Sequence, residues 1–267
     1  MSRRIIEHLA RADAVLGNLI RVVGPCRLAI EADCHPFQTL ARAIAHQQLN
    51  GTAANTILKR LVDSCGGGVF PTPQQVLAAS AASLRSAGFS FAKVAALQDL
   101  AEKTLAAVVP DAATLLQLSD AEIIERLTQV RGIGRWTVEM LLVFHLGRPD
   151  VLPADDFGVR SGFQAAYGLG RLPRPQALAL WGERWRPYRT TAAWYLWRAL
   201  ELKRAGTLPV PTERIRLPRI RRRRAAARRK RPLRSGGASS TPPPRADART
   251  RSHPRRARRS RAPGSRK

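Results

Sequence analysis

Residues Ser119 to Val159 read SDAEIIERLTQVRGIGRWTVEMLLVFHLGRPDVLPADDFGV. Ser119 with Glu122 three residues later is a capping-box pair, in which each side chain satisfies an amide that the helix start leaves open. Ile123, Leu127 and Val130 then recur at helical spacing. Arg131-Gly132-Ile133-Gly134-Arg135 interrupts the pattern, and a second helix is expected from about Trp136, carrying Val138, Leu141, Leu142 and His145. Helix, Gly-hydrophobic-Gly turn, helix is the helix-hairpin-helix pattern. Its glycines permit backbone conformations that other side chains block. The hairpin and the second helix start can then present N–H groups to a phosphate, supported by the helix dipole. Contacts of that kind fix register without reading bases. The turn alone would also suit any tight corner between two helices.

Leu152-Pro153-Ala154-Asp155-Asp156 follows, with Asp156 twenty residues beyond Trp136. Asp156 is placed to cap a helix starting near Phe157. A carboxylate held there, beside a phosphate-gripping hairpin, also suits a cationic transition state. Cleaving an N-glycosidic bond builds positive charge on the deoxyribose, and a nearby carboxylate can stabilise that charge or orient a water.

The rest of the chain is patterned as helix. Phe37, Leu40, Ala41, Ile44 and Ala45 form one stripe, and Ile57, Leu58 and Leu61 another after a break at Asn50-Gly51. Gly66-Gly67-Gly68 ends that helix, and Thr72-Pro73 reads as the cap and first position of the next. Ile5, Leu9, Ala12 and Leu16 suggest one amphipathic N-terminal helix. No strand alternation or repeat is visible, so an all-α bundle of roughly ten helices is expected, ending near residue 208.

Charge separates the remainder. The 267 residues carry 46 Lys+Arg against 19 Asp+Glu, a formal +27. Twenty of the basic residues and one acidic residue, Asp247, fall in 219–267, which leaves the preceding part at about +8. A field of this sign calls for a polyanionic partner, nucleic acid first. The Arg/Pro-rich segment 209–267 cannot bury enough apolar surface to offset the entropy of ordering and is expected to be a disordered, phosphate-neutralising tail.

Cys26, Cys34 and Cys65 are too few and too scattered for a disulfide framework or a four-cysteine metal site. Reduced thiols in a cytoplasmic, nucleoid-associated protein are expected. No apolar run approaches the roughly 20 residues of a membrane span, and the five histidines show no metal-ligand spacing.

Val130 to Thr137, the Leu152-Pro153-x-Asp155-Asp156 element, Trp185-Arg186-Pro187-Tyr188-Arg189 and His46-Gln47-Gln48-Leu49 with Ala53-Ala54 together resemble the helix-hairpin-helix DNA glycosylase superfamily. The likeness spans roughly residues 30–206 and is greatest to the alkylation-repair branch, DNA-3-methyladenine glycosylase II. It implies an all-α, two-lobed core over 1–208, one lobe at 36–156 containing the motif at 119–146, the second at 1–35 with 157–208. It implies action on damaged bases in double-stranded DNA by base flipping; a monomer is expected because no segment demands a partner helix. Asp156 takes the catalytic position and Asp155 is its non-catalytic neighbour. Gly132, Ile133, Gly134, Arg135 and Thr137 would grip DNA, and one of Gln47, Gln48 and Leu49 would fill the gap left by the flipped base. Trp136, Met140 and Trp197 would line the base pocket, where electron-rich rings suit a cationic alkylated purine. Trp136 stands where bifunctional relatives place a Lys nucleophile, so strand cleavage through an imine lacks its amine. All three cysteines precede Asp156, so the four-cysteine iron–sulfur cluster of some relatives is not expected. A monovalent cation on the hairpin carbonyls is the one ion the resemblance implies. The competing expectations are a glycosylase for other damaged or mismatched bases and a non-enzymatic architectural DNA-binding protein.

Overall fold

Short polar side chains start most of the helices. Asp13, Asn50, Thr72, Ser80, Ser90, Asp111, Ser119 and Asp156 each precede a helix and accept a backbone N–H from three residues on. Each such cap satisfies an amide that the helix start would leave without a partner. The computed structural model describes residues 3–31, 35–211 and 215–218, within a unit spanning Met1–Arg221. In order, its helices are α1 (Arg3–Ala12), α2 (Ala14–Val23), α3 (Pro36–His46), α4 (Gly51–Cys65), α5 (Pro73–Ala78), α6 (Ala81–Ser86), α7 (Phe91–Leu105), α8 (Ala112–Gln117), α9 (Asp120–Leu127), α10 (Arg135–Phe144), α11 (Phe157–Ala166), α12 (Pro175–Gly182) and α13 (Arg189–Arg204), with a 3₁₀ turn at Glu183–Trp185. No strand occurs among the described residues, and no helix there is long and apolar enough to cross a membrane.

Two hydrophobic cores organise these elements. One, with Leu40, Ile44, Leu61, Leu97, Leu127 and Leu142 at its centre, draws on α3 to α10 and ends at Val151. The other joins Leu9, Leu16 and Ile20 of the first two helices to Leu152, Phe163, Tyr167, Trp185 and Tyr195. The chain thus leaves the second lobe after α2, builds the first, and returns at Val151-Leu152. Trp197 and Leu28 pack against both cores, so Trp197 stands at the junction between the lobes.

Three expectations need correction. Ile5 and Leu16 do not share a helix, because Asp13 ends α1 and caps α2 through the Leu16 N–H. The helices outnumber the expected ten because α5, α6 and α8 have six residues each, too few to display a 3.6-residue period. The segment assigned to the tail does not all leave the core at residue 209, since Ile215 and Leu217 pack against the second core. The basic stretch 219–267 lies outside the described residues, as does Cys34.

Candidate active site

The capping box of α9 forms in both directions, Ser119 accepting from the Glu122 N–H while Glu122 accepts from the Ser119 N–H. α9 ends at Leu127 and the chain turns through the hairpin into α10. Gly132 takes φ +77, a left-handed conformation that favours glycine. Buried Ile133 anchors the turn in the first core, its N–H donating to Val130 O.

α7 supports the hairpin from beneath. The Arg131 N–H donates to Asp99 Oδ2 at 2.6 Å, and Asp99 also pairs with Lys103. Burial works to raise the Asp99 carboxyl, but the Arg131 amide and the Lys103 ammonium outweigh it and hold it below the usual range. Gln47 Nε2 reaches across to Gly132 O at 2.8 Å, and Lys93 Nζ donates to Ala45 O at 2.8 Å. The α3–α4 loop is therefore tied to the hairpin, and α7 holds both the hairpin and the last turn of α3. Among the described residues the amides of Gly132, Gly134, Arg135 and Trp136 find no protein acceptor, so four N–H groups face outward at the hairpin and the α10 start. Arg135 is exposed and pairs with the buried Glu139 one turn along, Nε to Oε1 at 2.8 Å. Burial raises the Glu139 carboxyl above its ordinary value although Arg135 opposes the shift.

Asp156 closes the site. As the N-cap of α11 its Oδ1 accepts the Val159 N–H at 2.7 Å. The same oxygen accepts the Trp197 indole N–H at 2.8 Å, and Oδ2 accepts the Trp136 indole N–H at 2.8 Å. Two tryptophans from different helices thus hold one carboxylate. A carboxylate offers about four acceptor positions; three are used, and one on Oδ2 is left free beside the half-exposed ring of Trp136.

Close helix approach makes this possible. A Cβ at Gly158 would lie 2.8 Å from Trp197 Cδ1 and 3.1 Å from Asp156 Oδ1, and one at Gly162 would lie 1.8 Å from Leu196 O. These two glycines, four apart on one face of α11, let α13 approach closely enough for Trp197 to reach Asp156. We expect Gly158→Ala to displace the indole and slow any reaction that uses Asp156 by about tenfold to a hundredfold, measured as single-turnover rate at saturating enzyme. The strap before Asp156 is fixed from the same side. Arg186 and Arg189 grip Asp150 at 2.8 and 2.7 Å, while Thr190 donates to Arg148 O and accepts the Val151 N–H. This accounts for the arginines of the Trp185–Arg189 stretch.

A cavity of about 490 Å³ opens beside Trp136, lined by Thr137, Met140 and Phe144 of α10 and by residues of α3 and the following loop, including Gln47 and Gln48. Trp197 is not on its lining; its ring stacks on Phe144, centroids 5.7 Å apart, and its indole N–H serves Asp156. At the α3–α4 loop, Gln47 is half-buried and engaged with the hairpin, whereas Gln48, at φ +58, and Leu49 form the exposed tip. Asp155 is exposed. Sequence reasoning missed Gly158, Gly162, Asp99 and Phe144; the glycine pair four residues apart just after Asp156 was the signal available for the first two.

Two all-α lobes, a helix-hairpin-helix with open amides, and a carboxylate at the lobe junction define a helix-hairpin-helix protein of the DNA-repair kind. Residues 41–187 match the family described as HhH-GPD superfamily base excision DNA repair protein, and the chain belongs to that family. It is 41% identical over 197 residues to DNA-3-methyladenine glycosylase 1 of Schizosaccharomyces pombe, covering 73% of this chain and 86% of that one. The structure of the S. pombe 3-methyladenine DNA glycosylase Mag1 in complex with abasic DNA superposes with a TM-score of 0.64 at 40% identity, over 73% of this chain and 95% of that one. A DNA-3-methyladenine glycosidase from Bacillus halodurans superposes with a TM-score of 0.68 at 33% identity, over 75% and 91%.

Proposed function

We propose that the chain is a monofunctional DNA glycosylase of the 3-methyladenine type II kind, which hydrolyses the N-glycosidic bond of alkylated bases in duplex DNA and starts base excision repair. One observation carries this reading. The Asp156 carboxylate is oriented by the indole N–H groups of Trp136 and Trp197 and by the Val159 amide, with one of its roughly four acceptor positions left free. The names of the similar proteins point the same way.

The residues divide the task. The open amides of Gly132, Gly134, Arg135 and Trp136 grip a phosphate, which fixes the duplex without reading its sequence. Gln48 and Leu49, at the loop tip, are the wedge candidates, because Gln47 is spent on Gly132. The flipped base enters beside Trp136, Met140 and Phe144. As the bond to the base breaks, electrons leave with the base and positive charge grows on the sugar. The fixed carboxylate of Asp156 stabilises that charge, and its free acceptor position can receive a proton from the attacking water. Trp136 offers no amine for an imine, so the product is a free base and an abasic site. A monovalent cation on the hairpin would share the Val130 and Gly132 carbonyls with the Ile133 and Gln47 donors, and no step of bond cleavage is assigned to it.

The test is incubation of the purified chain with methylated duplex DNA, chromatography of the released bases, and borohydride treatment of the same reaction. Release of 3-methyladenine or 7-methylguanine with no covalent protein–DNA adduct is expected. An adduct would assign lyase chemistry to an amine elsewhere. No released base, with DNA binding retained, would overturn the alkylbase reading.

A further inference from the structure

The cavity beside Trp136 has a polar end that the scheme above leaves unused. Trp136, Met140 and Phe144 recur at every fourth position along α10, so they line one wall of the cavity, and Glu31 and His145 lie where that wall ends. Glu31 is held there by its backbone, its N–H donating to Phe144 O at 2.8 Å. Its side chain is 75% exposed, and its Oε2 stands 3.6 Å from His145 Nδ1. That is beyond hydrogen-bond reach, and His145 Nδ1 is buried with no hydrogen-bond partner. Arg42, also on the lining, turns its guanidinium over the Phe70 ring, 5.3 Å from the centroid. Phe70 is not part of the lining.

We infer that Glu31 selects positively charged bases over neutral ones of similar shape. A carboxylate on the rim of a cavity with aromatic walls attracts a cation and leaves a neutral ring of the same shape nearly unaffected, and the guanidinium of Arg42, drawn to the Phe70 ring outside the lining, opposes it only in part. The faces of Trp136 and Phe144 act in the same sense through their quadrupoles. Purines alkylated at N3 or N7 carry that charge while still bonded to the sugar; undamaged purines do not. The cavity thereby adds a charge test to the stacking and shape that admit a base. The inference deepens the glycosylase reading and rests on it for which bases arrive.

Solvent screens so exposed a side chain, and the expected preference attributable to Glu31 is about two- to fivefold. The probes are a fixed cation, 7,9-dimethyladeninium, and its neutral counterpart, 9-methyladenine. Each is titrated into the full chain with tryptophan fluorescence as the signal, at about pH 8, above the ordinary imidazole range. Wild type should bind the cation more tightly. Glu31→Gln keeps the backbone bond to Phe144 and should lower the cation-to-neutral affinity ratio by about two- to fivefold, whereas His145→Gln should keep the preference. An unchanged ratio in Glu31→Gln, equal weakening of both probes, or no preference in wild type would each overturn the inference. The probes need no bond cleavage, so failure of this selection and failure to release methylated bases from DNA are separate results.

Discussion

Asp156→Asn is expected to lower the release of methylated bases by about 10²- to 10⁴-fold, with affinity for an abasic duplex near wild type. The variant is chosen because Asn caps helices about as well as Asp, so the Val159 N–H keeps an acceptor and α11 keeps its start. An Asn oxygen can also continue to receive the Trp197 indole N–H. The amide nitrogen then faces the Trp136 N–H, donor against donor, so one hydrogen bond is lost together with the charge. Most of the expected loss comes from the charge, because a neutral amide neither balances a cationic sugar nor takes a proton from water. The hairpin amides, proposed above to hold the phosphate, lie on a different segment and are untouched. Single-turnover excision, abasic-DNA binding and thermal melting measured side by side check each part. If Asp156 served only as a cap, the variant would excise at close to the wild-type rate.

What could be read in the sequence was what depends on short spacings. The Ser119–Glu122 box, the two-glycine hairpin and the Asp156 cap each involve residues a few positions apart, and each forms as local rules require. The catalytic position proposed for Asp156 rests on the resemblance. What holds its carboxylate was not legible from spacing: Trp136 lies 20 residues away and Trp197 41. Trp197 is read from the resemblance as a base-pocket residue, whereas in the structure it is off the cavity lining, its indole nitrogen on Asp156 and its ring on Phe144. An apolar face at helical spacing states that a ring is covered, not which polar atom its N–H will meet. Asp13 was missed for a related reason. The apolar positions run evenly through it, so the periodicity hid the break, and its partners lie more than 150 residues away.

Those partners set the second large expected effect, which concerns stability. Asp13→Ala should destabilise the fold by about 3–5 kcal/mol, lowering the melting temperature by roughly 6–20 °C for a domain of this size. The side chain is 6% exposed. Its Oδ1 accepts the Leu16 N–H, and its Oδ2 accepts the Tyr167 hydroxyl at 2.6 Å and the indole N–H groups of Trp181 and Trp185, each at 3.1 Å. Burial, with Asp13 alongside, holds the Tyr167 hydroxyl well above its ordinary range, so it stays protonated and donating. Loss of a cap alone would cost about 1 kcal/mol. Alanine goes further and leaves three buried donors, Tyr167 just past α11, Trp181 of α12 and Trp185 of the 3₁₀ turn, without an acceptor. One such donor costs about 1–3 kcal/mol when unsatisfied, and neighbours sharing one site add less than their sum. Asp13→Asn separates the two effects. Its single oxygen can serve Leu16 or the ring donors but not both, so it should recover only part of the loss, whereas a cap-only role predicts full recovery. Tyr167→Phe removes one donor without orphaning another group and should cost about 1 kcal/mol. Urea unfolding of the three variants decides among these, and equal small losses in all of them would mean that water enters and replaces the missing carboxylate. The carboxylate ties α2 to the C-terminal end of α11, to α12 and to the 3₁₀ turn, and Asp156 caps the other end of α11. Residual activity in Asp13→Ala at low temperature would therefore show that the cleft needs this anchor for stability and not for the geometry of Asp156.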